Sequence, residues 1–131
     1  MLEPVPADVR PYSRVLLETE AWLVGIPLTP WAMMWWGGFT DWCTAWLDGA
    51  FEQYHAKGDL IVFRSRTTSH RWMLHPATGE FRDRDNKRRS WRGFLMRHGE
   101  VAAGLMVGLT QVRAEASSDS TGAPLDGRTR P

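Results

Sequence analysis

The chain has 131 residues, of which 43% are hydrophobic, and a net charge of +1. This length suits a single domain, and the hydrophobic fraction supports a packed core and excludes a wholly disordered chain. Its single cysteine, Cys43, excludes an internal disulfide and any zinc site that needs two or more cysteine ligands. We expect neither a cofactor nor a bound metal, because no ligand spacing supports one.

Charge is distributed unevenly along the chain. Residues 1–56 carry two basic and seven acidic side chains, whereas residues 57–98 carry eleven basic and four acidic ones, a balance of +7. A segment this basic favours an anionic partner, such as nucleic acid or an acidic protein. The alternative is that the basic segment faces the acidic half of its own chain.

Proline content and composition predict the domain boundaries. Three prolines favour an extended arm over residues 1–12. A single α+β domain is expected over residues 13–112. Residues 113–131 lack apolar periodicity, which predicts a disordered tail. The N-terminus lacks the cationic region of a secretory signal, so we expect a cytoplasmic protein.

Two helices are predicted before the basic segment. Ser13 can cap a short helix from Arg14 to Val24, although residues 22–26 also fit a strand. Thr29-Pro30 then has the chemistry of a helix start and predicts a long helix over residues 30–56. Gly37-Gly38 predicts a kink or break in this helix. One side of it carries four tryptophans: Trp31, Trp35, Trp42 and Trp46.

A three-stranded antiparallel meander should follow, over residues 60–66, 71–75 and 80–82. Pro76 to Gly79 has the composition of the turn between the last two strands. Alternation places Phe63 with Trp72 on one face. The other face carries Arg64 and Arg71, so we expect an apolar face against the tryptophan helix and a basic face toward solvent.

A final helix is predicted from Trp91, capped by Ser90, to Val112. Its expected buried stripe is Trp91, Leu95, His98, Ala102, Leu105 and Leu109.

Residues 21–40 form a stretch without a charged side chain, and this stretch is long enough to cross a membrane. Gly25, Pro27 and Pro30 interrupt this stretch and argue against a span. Contact in the plane of a membrane surface is an alternative, but not the favoured one.

The basic meander and the loop after it form the principal candidate site. Arginines on a strand pair and an adjacent loop can follow a phosphate backbone, and Trp72 or His70 could stack on a base. The predicted anion-binding residues are Arg64, Arg66, Arg71, Arg82, Arg84, Lys87, Arg88, Arg89 and Arg92. The sequence therefore favours a non-enzymatic binding or regulatory protein.

Two other functions remain open. The tryptophan side of the long helix could form a protein interface or a homo-oligomer, since tryptophan is favoured at binding hot spots. A small metal-independent ribonuclease would need basic residues and a histidine near the scissile phosphate. His70 or His75 could supply that histidine.

Overall fold

The computed structural model describes residues 3–46 and 49–106, without the side chain of Trp46. Five strands form one antiparallel sheet in the order in which they occur in the chain. The strands are β1 (Ser13–Glu18), β2 (Trp22–Pro27), β3 (Ile61–Ser65), β4 (Arg71–His75) and β5 (Glu80–Asp83). The α+β class is therefore confirmed, but the predicted three-stranded meander is only the last part of a five-stranded sheet.

The helix predicted over Arg14–Val24 is wrong, because this segment is the hairpin of β1 and β2. The hydroxyl oxygen of Thr19 accepts hydrogen bonds from the amides of Ala21 and Trp22, which closes the turn between the two strands. Leu17 and Val24 satisfy helical spacing, but they also fit two paired strands, and here they are directly paired.

The long helix predicted over residues 30–56 is divided into three: α1 (Pro30–Trp36), α2 (Cys43–Trp46) and α3 (Ala50–Lys57). Thr29 caps α1 by accepting the amide of Ala32, as predicted, and the expected break follows at Gly37. Gly49, with φ of 81°, adopts the left-handed conformation before α3.

Helices cover both faces of the sheet. On one face, Trp36 of α1 and Phe51 of α3 pack with Val62 and Met73 of the sheet. On the other face, α4 (Trp91–Arg97) and a helical stretch over residues 99–106 pack against the apolar strand residues. The prediction of a basic face open to solvent is therefore wrong, because α1 to α3 lie over it.

The final helix is interrupted at His98, where the backbone leaves the helical conformation. Ser90 caps its start, as predicted. Phe94 before the interruption and Val101 after it, both outside the predicted stripe, are fully buried. Residues 107–112 of the predicted helix and the predicted tail lie outside the described residues.

The predicted arm over residues 1–12 packs against the domain from Glu3 onward. Val5 and Val9 are buried in the same core as Trp36. A short 3-10 turn over Arg10–Tyr12 leads into β1. This packing brings Glu3 beside the basic ends of β3 and β4.

Candidate anion-binding site

Eight of the nine predicted basic residues, all except Arg84, fall into three groups with different surroundings. The first is Arg64, Arg66 and Arg71, at the adjoining ends of β3 and β4. Arg64 and Arg71 are buried instead of facing solvent. Arg64 donates to Oε1 of Glu3 at 2.9 Å, and its guanidinium lies 3.9 Å above the ring of Trp35. Burial, reinforced by the charge of Arg71, lowers the pKa of Arg64 to about 10.

The second group bonds to carboxylates of the chain itself. Arg82 pairs with Glu80 at 3.1 Å, and Arg89 pairs with Asp83 at 2.6 Å. Burial acts to raise the pKa of Asp83, but hydrogen bonds from Arg89 and from two backbone amides outweigh it and lower that pKa. These two arginines are therefore partly neutralised, as the alternative interpretation of the basic segment expects.

The third group is exposed on the loop after β5 and at the start of α4. It consists of Lys87, Arg88 and Arg92. Their side chains make no hydrogen bond or ion pair with any residue that the structure describes. This group is available to an external anion.

An open cavity of about 380 Å3 lies where β4, β5 and α4 meet. Its four arginines outnumber its two aspartates, so the cavity carries excess positive charge. Arg84 is held at the rim by a 3.2 Å hydrogen bond to the carbonyl oxygen of Ser69. The lining residues are His70, Arg71, Trp72, Asp83, Arg84, Asp85, Arg89 and Arg97.

Trp72 provides an aromatic surface in this cavity. Its ring packs against Phe94, with centroids 4.9 Å apart, and against His70 at 5.5 Å. Packing on these neighbours fixes the ring while the side chain remains only partly buried. A fixed ring beside arginines is the arrangement that proteins use to stack a base while holding its phosphate.

Phe39 is a second aromatic near the cavity, and sequence reasoning missed it. The side chain is 81% exposed, and the backbone is left-handed, with φ of 63°. Just before it in the chain, the carbonyl oxygen of Gly38 accepts a hydrogen bond from Arg71 at 3.0 Å. Just after it, the amide of Asp41 donates to the carbonyl oxygen of Arg84 at 2.8 Å. Both contacts tie its loop to residues that line the cavity. An exposed phenylalanine in a strained conformation is a signal that only the structure reveals.

Arg97 was also absent from the predicted set. It is exposed at the last position of α4 and lines the cavity. The sequence shows Arg97 as one of several bases near the start of this helix, but its place in the cavity depends on how α4 packs against the sheet, which helical periodicity does not indicate.

The four tryptophans predicted to form an interface do not share one surface. Trp31 is 54% exposed, Trp35 is half-buried and Trp42 is fully buried. Trp42 therefore cannot contact a partner. The side chain of Trp46 lies outside the described residues.

The two histidines considered for catalysis differ in access. His70 lines the open cavity. His75 is fully buried, and its ring bonds to the carbonyl oxygen of Tyr54 at 2.9 Å and to the hydroxyl of Thr78 at 2.8 Å. His75 therefore has a structural role and cannot reach an external phosphate.

Within the part of the chain that the structure describes, no three histidine, cysteine or acidic side chains converge as a metal site would require. The helices of residues 3–46 and 49–106 are too short or too polar to cross a bilayer.

Comparisons with models of protein families, with curated proteins and with solved structures give no significant match to this chain.

Proposed function

We propose that this protein is a non-enzymatic binding protein for nucleic acid, and that the open cavity at β4, β5 and α4 holds the strand. The observation that carries the proposal is the combination of four arginines, His70 and Trp72 around one cavity. Arginines can bind phosphates while an aromatic ring stacks on a base. An acidic protein would bind the arginines but would have no base to stack on the ring of Trp72.

The exposed cations extend this surface beyond the cavity. Lys87, Arg88 and Arg92 follow Asp85 in the chain and have no partner among the described residues. Cations that release counterions from a phosphate backbone make binding strongly dependent on salt. The proposal therefore expects affinity to fall steeply as salt concentration rises.

Fluorescence anisotropy with a labelled single-stranded RNA, over a series of salt concentrations, tests this function. Arg97→Glu should weaken binding by at least about threefold and reduce the salt slope by about 0.7 for each phosphate that the variant no longer binds. Arg14→Glu is the matched control, because Arg14 is exposed on β1, at the opposite edge of the sheet from β5. Arg64 is a poor choice for this test, since it is buried and paired with Glu3.

Four outcomes decide between the candidates. Absence of RNA and DNA binding at low salt would remove the proposal, as would equal effects of Arg97→Glu and Arg14→Glu. Binding of poly-glutamate alone, weakened by Arg97→Glu, would favour an acidic protein instead. Cleavage of the RNA during incubation, lost in His70→Ala, would favour the ribonuclease.

A second candidate function is self-association through α1. Trp31 and Met34 are both about half exposed and lie one helical turn apart. Light scattering on the purified chain tests this candidate. A dimer that dissociates on Trp31→Ala, and persists on Met96→Ala at another exposed position, would support it. A monomer at all concentrations would exclude it.

A further inference from the structure

A second, smaller cavity is lined by the adjoining ends of β3 and β4 and by the turn between them. Its volume is about 110 Å3. Three guanidinium groups border it, together with the hydroxyl-bearing side chains of Ser65 and Thr68. The lining residues are Glu3, Leu23, Arg64, Ser65, Arg66, Thr68 and Arg71.

The charges around this cavity are unbalanced. Arg64 and Arg71 are directly opposite each other across β3 and β4. Like charges at such a position destabilise a sheet, and burial increases the cost. Glu3 is the one carboxylate that lines the cavity, against three arginines. A bound anion would offset the excess charge.

Arg66 has one nitrogen that the described residues leave without a hydrogen-bond partner. Its Nη1 donates to the carbonyl oxygen of Thr19 at 2.7 Å, and its Nη2 donates to that of Glu3 at 3.3 Å. Its Nε is buried and has no hydrogen-bond partner among the described residues. Buried donors in this state are rare in native proteins, and a bound water or ion is one of the groups that commonly satisfies them.

Glu3 occupies the position that an external anion would take. Its carboxylate bonds to Arg64 at 2.9 Å, whereas its side chain is 64% exposed and that of Arg64 only 8%. Two residues later, Val5 is buried in the core. Only the chain before Val5 therefore has to move for the carboxylate to leave the cavity.

We propose that Arg64, Arg66 and Arg71 form a binding site for one phosphate group, and that the carboxylate of Glu3 competes with it from within the chain. Each guanidinium can donate two hydrogen bonds to a phosphate. The hydroxyls of Ser65 and Thr68 supply further donors at the border of the cavity. This inference does not depend on nucleic acid binding in the open cavity, since the phosphate can be inorganic or the terminal group of a nucleotide chain.

Isothermal titration calorimetry with inorganic phosphate at low ionic strength tests the site. Glu3→Gln removes the competing charge with little change in shape and should tighten phosphate binding by about fivefold. Glu18→Gln is the matched control, because Glu18 pairs with Arg10 at 3.2 Å on the surface. Arg66→Gln should weaken binding, and a melting temperature measured without phosphate will show whether that variant is folded.

A second series uses a short oligonucleotide with and without a 5′-phosphate. Tighter binding of inorganic phosphate in Glu3→Gln supports a site for the free ion. A gain confined to the phosphorylated oligonucleotide supports a site for a terminal phosphate. The proposal is overturned if neither ligand binds Glu3→Gln more tightly than it binds Glu18→Gln. Loss of affinity for the unphosphorylated oligonucleotide in Arg97→Glu reports on the open cavity alone, so the two proposals can fail separately.

Discussion

The indole N–H of Trp42 donates a 2.7 Å hydrogen bond to the backbone carbonyl oxygen of Asp83. Trp42 immediately precedes α2 and is fully buried, whereas Asp83 is the last residue of β5 and lines the open cavity. This bond joins the helices on one face of the sheet to the strand end that forms the cavity wall.

Trp42→Phe should lower the free energy of unfolding by about 2–4 kcal/mol, because it removes the donor and leaves space in a packed core. Urea denaturation measures the change. Trp31→Phe is the control, since Trp31 is half exposed, and it should change stability by less than about 0.5 kcal/mol. Similar effects of the two substitutions would show that the Trp42 hydrogen bond and its packing contribute little.

The carboxylate of Asp83 should make stability depend on pH. Its pKa in the folded protein lies below the ordinary value of 3.8, because hydrogen bonds from Arg89 and the amides of Lys87 and Asp85 outweigh the effect of burial. A carboxylate whose pKa is lowered by folding stabilises the folded protein at pH values above its ordinary pKa. This stabilisation is lost as the pH falls through the lowered pKa.

Asp83→Asn should therefore cost about 1–2 kcal/mol at neutral pH, and the difference from the original chain should shrink toward zero as the pH falls through the lowered pKa of Asp83. Urea denaturation at a series of pH values gives both numbers. Asp85→Asn serves for comparison, since the Asp85 carboxylate is exposed and bonds to no described residue. A pH-independent deficit in Asp83→Asn would contradict the assignment.

Gly25 allows the close approach of Trp36 to β2. A Cβ atom at this position would fall well inside contact distance of the Trp36 ring, which is fully buried and has no free space. Gly25→Ala should lower stability by about 1–3 kcal/mol through overpacking. Gly99→Ala meets no atom within 4 Å and should be neutral or stabilising. Thermal unfolding of the two variants tests the contrast, and a tolerated alanine at Gly25 would refute it.

Substitutions of Phe39 should have different effects on protein stability and on RNA binding. Phe39→Gly relieves the left-handed strain at little cost in buried area, and should raise stability by about 0.5–1 kcal/mol. The same change should weaken RNA binding, because it removes an exposed ring from a loop that is hydrogen-bonded to Arg71 and Arg84 of the open cavity. Phe39→Ala removes the ring but keeps the Cβ, so it should weaken binding without the gain in stability. Unchanged RNA affinity in both variants would exclude a role for the ring.

The features that the sequence predicted well depend on neighbouring residues. Thr29-Pro30, Ser90 and the turn ending at Gly79 each satisfy a local backbone requirement, and all three have the expected roles. The alternation of Phe63 and Arg64 on β3 was also predicted correctly, since it needs only the period of a strand.

What could not be predicted depends on distant contacts. Arg64 is buried because α1 covers its face of the sheet and Glu3, 61 residues earlier, supplies a carboxylate. The hairpin of β1 and β2 was missed because Leu17 and Val24 fit both helical and strand periodicity, and pairing with β3 decides between the two. In the same way, the composition of residues 30–56 does not reveal that Trp42 is buried and Trp31 is exposed.

Arg71 belongs to the lining of both cavities. A ligand that draws its guanidinium toward one side alters what the other side can offer. Thermodynamic linkage then requires that phosphate in the small cavity and a nucleic acid strand in the large one change each other's dissociation constant by the same factor. One shared side chain would thus couple the two sites, so that displacement of Glu3 from the small cavity would change the affinity of the large one.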